Sequence, residues 1–432
     1  MTGGFPTRTV RPSAADGTVV APPSKSVMLR LTAVALLAGD AESRIGNPTF
    51  CDDAAAGLEV ARGLGATIAA APDEVVIRGG LAPRASLLHC GESGLCLRMF
   101  APIAALCPEE ITLTGRGSLL RRPMAAIESP LGALGARCGT RDGRPPVVVH
   151  GPLRGGEAVV DGGVSSQILT GLLLALPCAE GDSTLVVRDL ASRPYVDLTL
   201  AILERAGVRI GREGLERFEI PGGQRPRAGV FAVEGDWSAA AFLLVLGAVG
   251  GRIRVAGLDP ASAQADRRVL DVIARAGARV VATPDGAEVS RDRLRAFEFD
   301  LRDAPDLLPP LAVLASSAEG TSVLSGTGRL RHKESDRAGA LARELGGLGV
   351  RVTLREDALE VTGGPVRGGS ARSHGDHRMA MALAVAAVTA RGPVAIEGAG
   401  DVAKSYPRFF EDLAAAGVAV YDDPSRDAEA GG

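Results

Sequence analysis

Only three of the 48 basic side chains in this 432-residue chain are lysines, Lys25, Lys333 and Lys404. Arginine serves wherever a permanent charge suffices. The lysines therefore mark places that need a compact ammonium able to shift its pKa and give up a proton. Lys25 lies in residues 22–30, PPSKSVMLR, between Ser24 and Ser26 and just before the apolar run 27–38. A helix there would turn its first free amides and two hydroxyls toward the ammonium, which makes an anion site. The plainer alternative is a Ser N-cap beside an incidental Lys. Lys333 lies in residues 329–337, RLRHKESDR. On one helix, Lys333 and Arg337 would be four apart on one face with Glu334 adjacent, and like charges so spaced repel unless an anion lies between them. Lys404 lies in residues 403–407, AKSYP, ahead of a helix expected to begin near Pro407.

Other stretches repeat the theme of a cation or hydroxyl before a helix. Residues 90–99, CGESGLCLRM, put Gly91 and Gly94 ahead of Arg98 and an apolar helix expected over 100–106. By itself this is as much a tight turn as a ligand loop. Arg121 and Arg122 precede Pro123, which can start a helix. Residues 161–174, DGGVSSQILTGLLL, lead Ser165, Ser166 and Gln167 into an apolar helix, and plain N-capping explains one serine but not all three polar groups. Ser192-Arg193-Pro194-Tyr195 precede a helix expected over 196–205. Asp306 opens the apolar run 307–315 as an ordinary N-cap would, and Arg378 falls in the first turn of a helix, where the dipole disfavours a cation. Lys25, Arg30, Arg98, Arg122, Lys333, Arg337, Arg378 and Lys404 together demand several negative charges in one cleft. Until anions arrive they would repel one another.

Composition narrows the partner to something small. A net charge of −3 and 3% aromatics offer neither a nucleic-acid surface nor stacking platforms. Apolar runs such as 239–249 and 379–388 fall short of the roughly 18 to 20 residues a membrane span requires, and the opening MTGGFPTRTVRPSAADG lacks a signal peptide's apolar core. A cytoplasmic protein is expected. The six cysteines include no CxxC pair, which fits reduced thiols. His374 and His377 have no third and fourth ligand at a plausible spacing, so no metal site is expected.

The elements that must position these groups recur with a period. A helical stretch ends in Gly, followed by Ala or Val, any residue, a small apolar residue, a polar turn and another strand. The six glycines are 65, 135, 207, 277, 349 and 417, separated by 70, 72, 70, 72 and 68 positions. Each is placed as a left-handed C-cap, and the residues after it read as a hairpin. Six repeats of about 70 residues make an α+β (α/β) protein, and such duplication defines architecture more securely than local propensity. Three plus three gives two domains of ordinary size. The expected division is 24–234 for the first, and 1–23 with 235–432 for the second, with 422–432 a disordered polar tail. A cleft between two halves is the default ligand site.

In this order, SKS (24–26), RPM (122–124), SSQ (165–167), SRPY (192–195), PD (305–306), KESDR (333–337), DHRMAM (376–381) and AKSYP (403–407) resemble the 5-enolpyruvylshikimate-3-phosphate synthase family over nearly the whole chain. The resemblance implies a two-domain inside-out α/β barrel, three repeats per domain, with the first twenty-odd residues pairing into the C-terminal domain. It implies transfer of enolpyruvyl from phosphoenolpyruvate to the 5-hydroxyl of shikimate 3-phosphate, without metal or cofactor. A monomer is expected. Carried over by motif, Lys25, Ser26, Arg30, Ser165, Ser166, Gln167, Ser192, Tyr195, Asp306 and Lys333 hold shikimate 3-phosphate. Lys25, Gly94, Arg98, Arg122, Gln167, Arg337, Arg378 and Lys404 hold phosphoenolpyruvate. Asp306 takes the hydroxyl proton, and Glu334, helped by Lys333 or Lys25, protonates the methylene carbon. The chain departs from the pattern at Glu92-Ser-Gly-Leu95, where Asn-Ala-Gly-Thr is common, at Met99 for Pro, at Arg329 for Asn, and at Met28-Leu29. Two alternatives stay open: the sister enolpyruvyl transferase acting on UDP-N-acetylglucosamine, and a non-catalytic relative that binds phosphometabolites.

Overall fold

The computed structural model describes residues 7–163 and 165–422. The six repeat glycines all take left-handed backbone, with φ between +79° and +124°. In each case the residue after the glycine donates its N–H to the carbonyl five positions back, as Ala66 does to Ala61 and Val208 to Leu203, both at 3.0 Å. This is the Schellman arrangement, and it explains the Ala or Val after each glycine, since that residue packs back on the helix it ends. Five of the six glycines lead into a local hairpin, such as Thr67–Ala70 with Glu74–Arg78, or Arg279–Thr283 with Gly286–Ser290. After Gly417 the single strand Val420–Asp422 pairs instead with Arg8–Val10. Asp422, expected in the tail, thus ends a strand and meets Arg8 Nε at 3.0 Å, while 423–432 lie outside the described residues.

Among the described residues six four-stranded sheets result, all of one topology. A first strand pairs in parallel with a second, which runs antiparallel to a third, which runs antiparallel to an edge strand. Leu87–His89, Glu110–Thr114, Arg144–His150 and Arg137–Arg141 illustrate the order. The chain divides into two compact units, one of Pro23–Glu234 and one of the residues up to Pro22 together with those from Gly235 onward. In the first, Val230–Ala232 pairs with Glu42–Gly46, fastening the end of the unit to its beginning. In the second, Ala15–Val20 pairs in parallel with Gly251–Ala256, and Arg8–Val10 lies between Val394–Glu397 and Val420–Asp422.

Each unit places three helices at its centre. They are Lys25–Leu37, Gly94–Ala104 and Gln167–Ala175 in the first, and Trp237–Gly250, Leu308–Ser316 and His377–Ala387 in the second. Their residues are apolar around the whole circumference and buried accordingly, whereas Asp52–Gly63, Arg193–Arg205 and Arg337–Gly347 bury one face. With helices inside and sheets outside, each unit is the three-repeat inside-out α/β barrel that the repeats and the resemblance imply. Helix approach in the core is close. A Cβ on Gly171 would sit 2.7 Å from the carbonyl oxygen of Arg98, so only glycine lets Gln167–Ala175 pack on Gly94–Ala104.

Several helix starts differ from expectation for one physical reason. The helices begin at Lys25, Gly94 and Arg193 instead of residues 27, 100 and 196. Polar residues there resemble loop, yet a first helical turn has free amides and accommodates them. Lys333 and Arg337 share no helical face. Gly328–His332 is a 3-10 helix, residues 333–336 bend, and Asp336 caps a new helix at Arg337 by accepting from Gly339 N–H at 3.3 Å. Lys404 ends the 3-10 helix Ala399–Lys404, and the next helix, Phe409–Ala415, starts two residues beyond Pro407. Pro123 starts no helix; the next helical turn is Ala125–Ile127.

Candidate active site

In both units the chemistry-bearing residues lie at or just before helix starts, except Arg122, which follows the 3-10 helix Gly117–Arg121, and Lys404, which ends the 3-10 helix Ala399–Lys404. In the unit Pro23–Glu234, Lys25 is the first residue of its helix, and its Nζ donates to Asp53 Oδ2 at 2.8 Å. Arg30, one turn on, is buried and spends its guanidinium on neutral oxygens: Thr199 Oγ1 at 2.9 Å, the Ser26 carbonyl at 2.8 Å, the Tyr195 carbonyl at 3.2 Å and Thr170 Oγ1 at 3.5 Å. Burial pulls its pKa down to about 10, which still leaves it charged at neutral pH. This cation ties the helices Lys25–Leu37, Gln167–Ala175 and Arg193–Arg205 together.

Gly94 opens its helix behind Ser93, whose hydroxyl caps Cys96 N–H at 3.3 Å. A Cβ on Gly94 would lie 2.1 Å from Arg122 Nη1 and 3.1 Å from Arg98 Nη1, so the two buried guanidinia converge on the space a side chain would take. Arg98 also donates to Gln167 Oε1 at 2.9 Å and to the Pro123 carbonyl at 2.8 Å. Ser165 Oγ accepts from Gln167 N–H at 3.2 Å, and Ser166 occupies the N-cap without capping through its side chain. Ser192 is buried in left-handed backbone at φ +57°, an uncommon conformation for a residue with a side chain and one concentrated at functional sites. Tyr195 lies in the first turn of the helix Arg193–Arg205.

The second unit gathers its groups around one guanidinium. Arg337, buried, donates from Nη1 to Asp306 Oδ1 at 2.5 Å, from Nη2 to Glu334 Oε2 at 2.5 Å and from Nε to Asp376 Oδ2 at 2.8 Å. Asp306 also accepts from Arg378 Nη2 at 3.1 Å and lies 3.6 Å from Lys333 Nζ. Its carboxylate therefore makes no N-cap bond, contrary to the ordinary reading of a Pro-Asp helix start. Burial opposes ionisation of Asp306, but Arg378, Lys333 and Arg337 outweigh it and hold its carboxyl well below the usual range. Burial pulls the Lys333 ammonium down to about 8, against the pull of Asp306, so it exchanges a proton near physiological pH. Lys404 Nζ donates to the Gly375 carbonyl at 2.6 Å, next to Asp376, and lies 3.6 Å from Asp401. Arg329 turns its guanidinium to the Leu301 and Arg302 carbonyls.

Arg98 and Arg122 converge over Gly94, whereas Lys25, Arg337, Arg378 and Lys404 each meet a carboxylate of the protein. These carboxylates include the residues that sequence reasoning missed: Asp53 beside Lys25, Asp376 beside Arg337 and Asp401 beside Lys404. Asp53 reads as an ordinary acidic residue in a first helical turn. Asp376 reads as an N-cap, and it does accept from Arg378 N–H at 3.0 Å. His374 is engaged too, with Nε2 at 2.6 Å from Glu344 Oε1. Cys96 offers no nucleophile, because burial and then its neighbour Cys90 push its thiol well above the ordinary range.

A model of the family described as EPSP synthase (3-phosphoshikimate 1-carboxyvinyltransferase) matches residues 10–413. The chain is 42% identical over 412 residues to the 3-phosphoshikimate 1-carboxyvinyltransferase of Aeropyrum pernix, covering 95% of this chain and 96% of that one. It is 43% identical over 418 residues to the protein of the same name from Methanopyrus kandleri, covering 94% and 96%. Among solved structures, EPSP synthase from Acinetobacter baumannii aligns with a TM-score of 0.81 at 28% identity, over 97% of this chain and 100% of that one. The enolpyruvyl transferase NikO from Streptomyces tendae aligns at 0.79 over 97% and 99%, and at 20% identity it shares the fold alone.

Proposed function

This chain belongs to the EPSP synthase (3-phosphoshikimate 1-carboxyvinyltransferase) family, and on that premise we propose that it transfers the enolpyruvyl group of phosphoenolpyruvate to the 5-hydroxyl of shikimate 3-phosphate. Phosphate is the second product, and the step belongs to the shikimate pathway toward aromatic amino acids. The observation that carries this reading is the cluster in which Arg337 gathers Asp306 and Glu334, with Lys333 and Arg378 on Asp306. It holds a carboxylate that can accept a proton beside an ammonium that can give one.

The transfer needs little more. Bonding the hydroxyl oxygen to C2 of phosphoenolpyruvate requires that a base take the hydroxyl proton and that an acid protonate the methylene carbon. Losing phosphate and one proton from the new methyl group then restores the double bond. We assign Asp306 to the hydroxyl proton and Glu334, with Lys333 or Lys25, to the carbon. Asp306 held ionised by three cations is a weak base. When substrate phosphate and carboxylate engage Arg378 and Arg337, those cations are partly neutralised and the Asp306 carboxylate grows more basic. On this reading Lys25, Ser26, Arg30, Ser165, Ser166, Gln167, Ser192, Tyr195, Asp306 and Lys333 receive shikimate 3-phosphate. Lys25, Gly94, Arg98, Arg122, Gln167, Arg337, Arg378 and Lys404 receive phosphoenolpyruvate.

Phosphate release tests the function. It should require both substrates together, and release from phosphoenolpyruvate alone, or none from the pair, would overturn the proposal. UDP-N-acetylglucosamine should not replace the acceptor. We further propose that the enzyme is a cytoplasmic monomer, for which sedimentation of the purified protein should give a single species of 44.2 kDa. Every step is a proton or anion movement within reach of side chains, so dialysis against a chelator should leave turnover unchanged.

Gly94→Ala tests the space above the guanidinium pair. A methyl group there must move Arg122, whose Nη1 lies 2.1 Å from the Cβ position. The Michaelis constant for phosphoenolpyruvate should rise by about tenfold, equivalent to ~1.4 kcal/mol, while that for shikimate 3-phosphate changes little. Equal Michaelis constants in variant and wild type would show that Arg122 has room to move.

A further inference from the structure

Glu92 lies between the loop that presents Gly94 and the turn that presents Arg122, and it touches both. Its Oε2 accepts from Ser118 N–H at 2.9 Å and from Ser118 Oγ–H at 3.0 Å. Ser118 is buried in the 3-10 helix Gly117–Arg121, whose next residue is Arg122. The carboxylate is so close to that turn that a Cβ on Gly117, itself at φ +55°, would lie 2.4 Å from Oε2. A second fastening lies beside the first. Arg116 N–H donates to the Gly91 carbonyl at 2.8 Å, and a Cβ on Gly115 would lie 2.4 Å from that same oxygen. Two glycines have therefore given up side chains so that segment 115–118 can lie directly on segment 91–92.

From this contact we propose that Glu92 is a positioning residue that sets the separation of the Arg122 and Arg98 guanidinia over Gly94, and so tunes affinity for phosphoenolpyruvate. The inference rests on the enolpyruvyl-transfer function already proposed. Arg122 comes directly after the clamped 3-10 turn, and Gly94 comes two residues after Glu92, so a shift of either segment moves one guanidinium relative to the other. The lever is short, and a bidentate anion feels displacements of a fraction of an ångström. One oxygen receives both donations from Ser118, and a carboxamide oxygen can supply an acceptor at that point.

The test compares Glu92→Ala, Glu92→Gln and Ser118→Ala by initial rates with each substrate varied in turn. Glu92→Ala should raise the Michaelis constant for phosphoenolpyruvate by about tenfold, with kcat and the Michaelis constant for shikimate 3-phosphate within about twofold of wild type. Glu92→Gln should restore the phosphoenolpyruvate constant to within about threefold. Ser118→Ala keeps the backbone donor and loses the hydroxyl, so its smaller effect should vanish in the Glu92→Ala background, as expected for partners in one contact. A wild-type phosphoenolpyruvate constant in Glu92→Ala would overturn the proposal. So would an equal rise for both substrates in Glu92→Ala and Glu92→Gln alike, which would mark a general loss of structure. If wild-type protein releases no phosphate from the substrate pair, the function itself fails. If it turns over and Glu92→Ala matches it, only the positioning role fails.

Discussion

Asp306→Asn should lower kcat by about three orders of magnitude while tightening the binding of inorganic phosphate. The first effect is loss of the proposed base. A positioned proton acceptor contributes on the order of 10² to 10⁴ in rate, and an amide cannot replace it. The second effect arises from the cations. Asp306 Oδ1 takes Arg337 Nη1 at 2.5 Å and lies 3.6 Å from Lys333 Nζ, while Oδ2 takes Arg378 Nη2 at 3.1 Å. Asparagine has nearly the same shape but no charge, and its NH2 group would face a guanidinium donor to donor. Arg337 keeps Glu334 and Asp376, whereas Arg378 loses its 3.1 Å ion pair. An added anion then meets less competition from the protein's own carboxylate. Titration calorimetry with phosphate, alongside steady-state rates, separates the two effects. A kcat within tenfold of wild type would remove Asp306 from the chemistry; weaker phosphate binding would show that the cluster had rearranged.

Lys333→Arg should cost about a hundredfold in kcat and abolish the alkaline limb of the pH profile. Burial takes the Lys333 ammonium from 10.5 down to about 8, with Arg337 and Arg329 pulling the same way and Asp306 and Glu334 opposing. The ammonium is the form that can give a proton. It is present below about pH 8 and is lost as pH rises through that value, so kcat/KM in the wild type should fall above pH 8, because that ratio reports the free enzyme. Bound substrate anions favour the charged form, so the same limb should lie at higher pH in the kcat profile. Arginine keeps the charge but does not release its proton in this range. The variant should therefore bind both substrates and turn over slowly, with kcat/KM level up to about pH 10. An alkaline limb that persists near pH 8 in the variant would assign it to another group. Lys25→Arg and Lys404→Arg should also impair turnover more than Arg→Lys changes away from the buried helix starts, because a planar guanidinium does not fit where a compact ammonium meets Asp53 or the Gly375 carbonyl.

The features legible in one dimension were those that depend on neighbours in the chain. The Schellman C-cap is local: a glycine at φ > 0 and an apolar residue after it, bonded to a carbonyl five positions back, so its six copies and their spacing could be read before any coordinates. Repetition of the unit then implied repetition of the sheet, and the described residues form six sheets of one topology. The candidate site stretches were legible for a related reason. A cation or a run of hydroxyls at the start of an all-apolar helix contradicts what dipole and burial favour, and such contradictions concentrate where a ligand compensates them.

Contacts that join distant segments were not legible, because neither a backbone hydrogen bond nor a Coulomb interaction leaves a local mark. Arg8–Val10 finds Val394–Glu397 through generic strand pairing, which any short extended segment could supply. The bend at 333–336, set by Asp336 capping the next helix, removed the shared face expected of Lys333 and Arg337 and turned both toward Asp306. Among 51 acidic residues, only packing determined that Asp53 would meet Lys25, Asp376 meet Arg337 and Glu92 fasten to Ser118. The charges that demand an anion were visible in the sequence; Asp53 and Asp376, which meet Lys25 and Arg337, come from 28 and 39 residues away, and the tertiary fold alone brings them there.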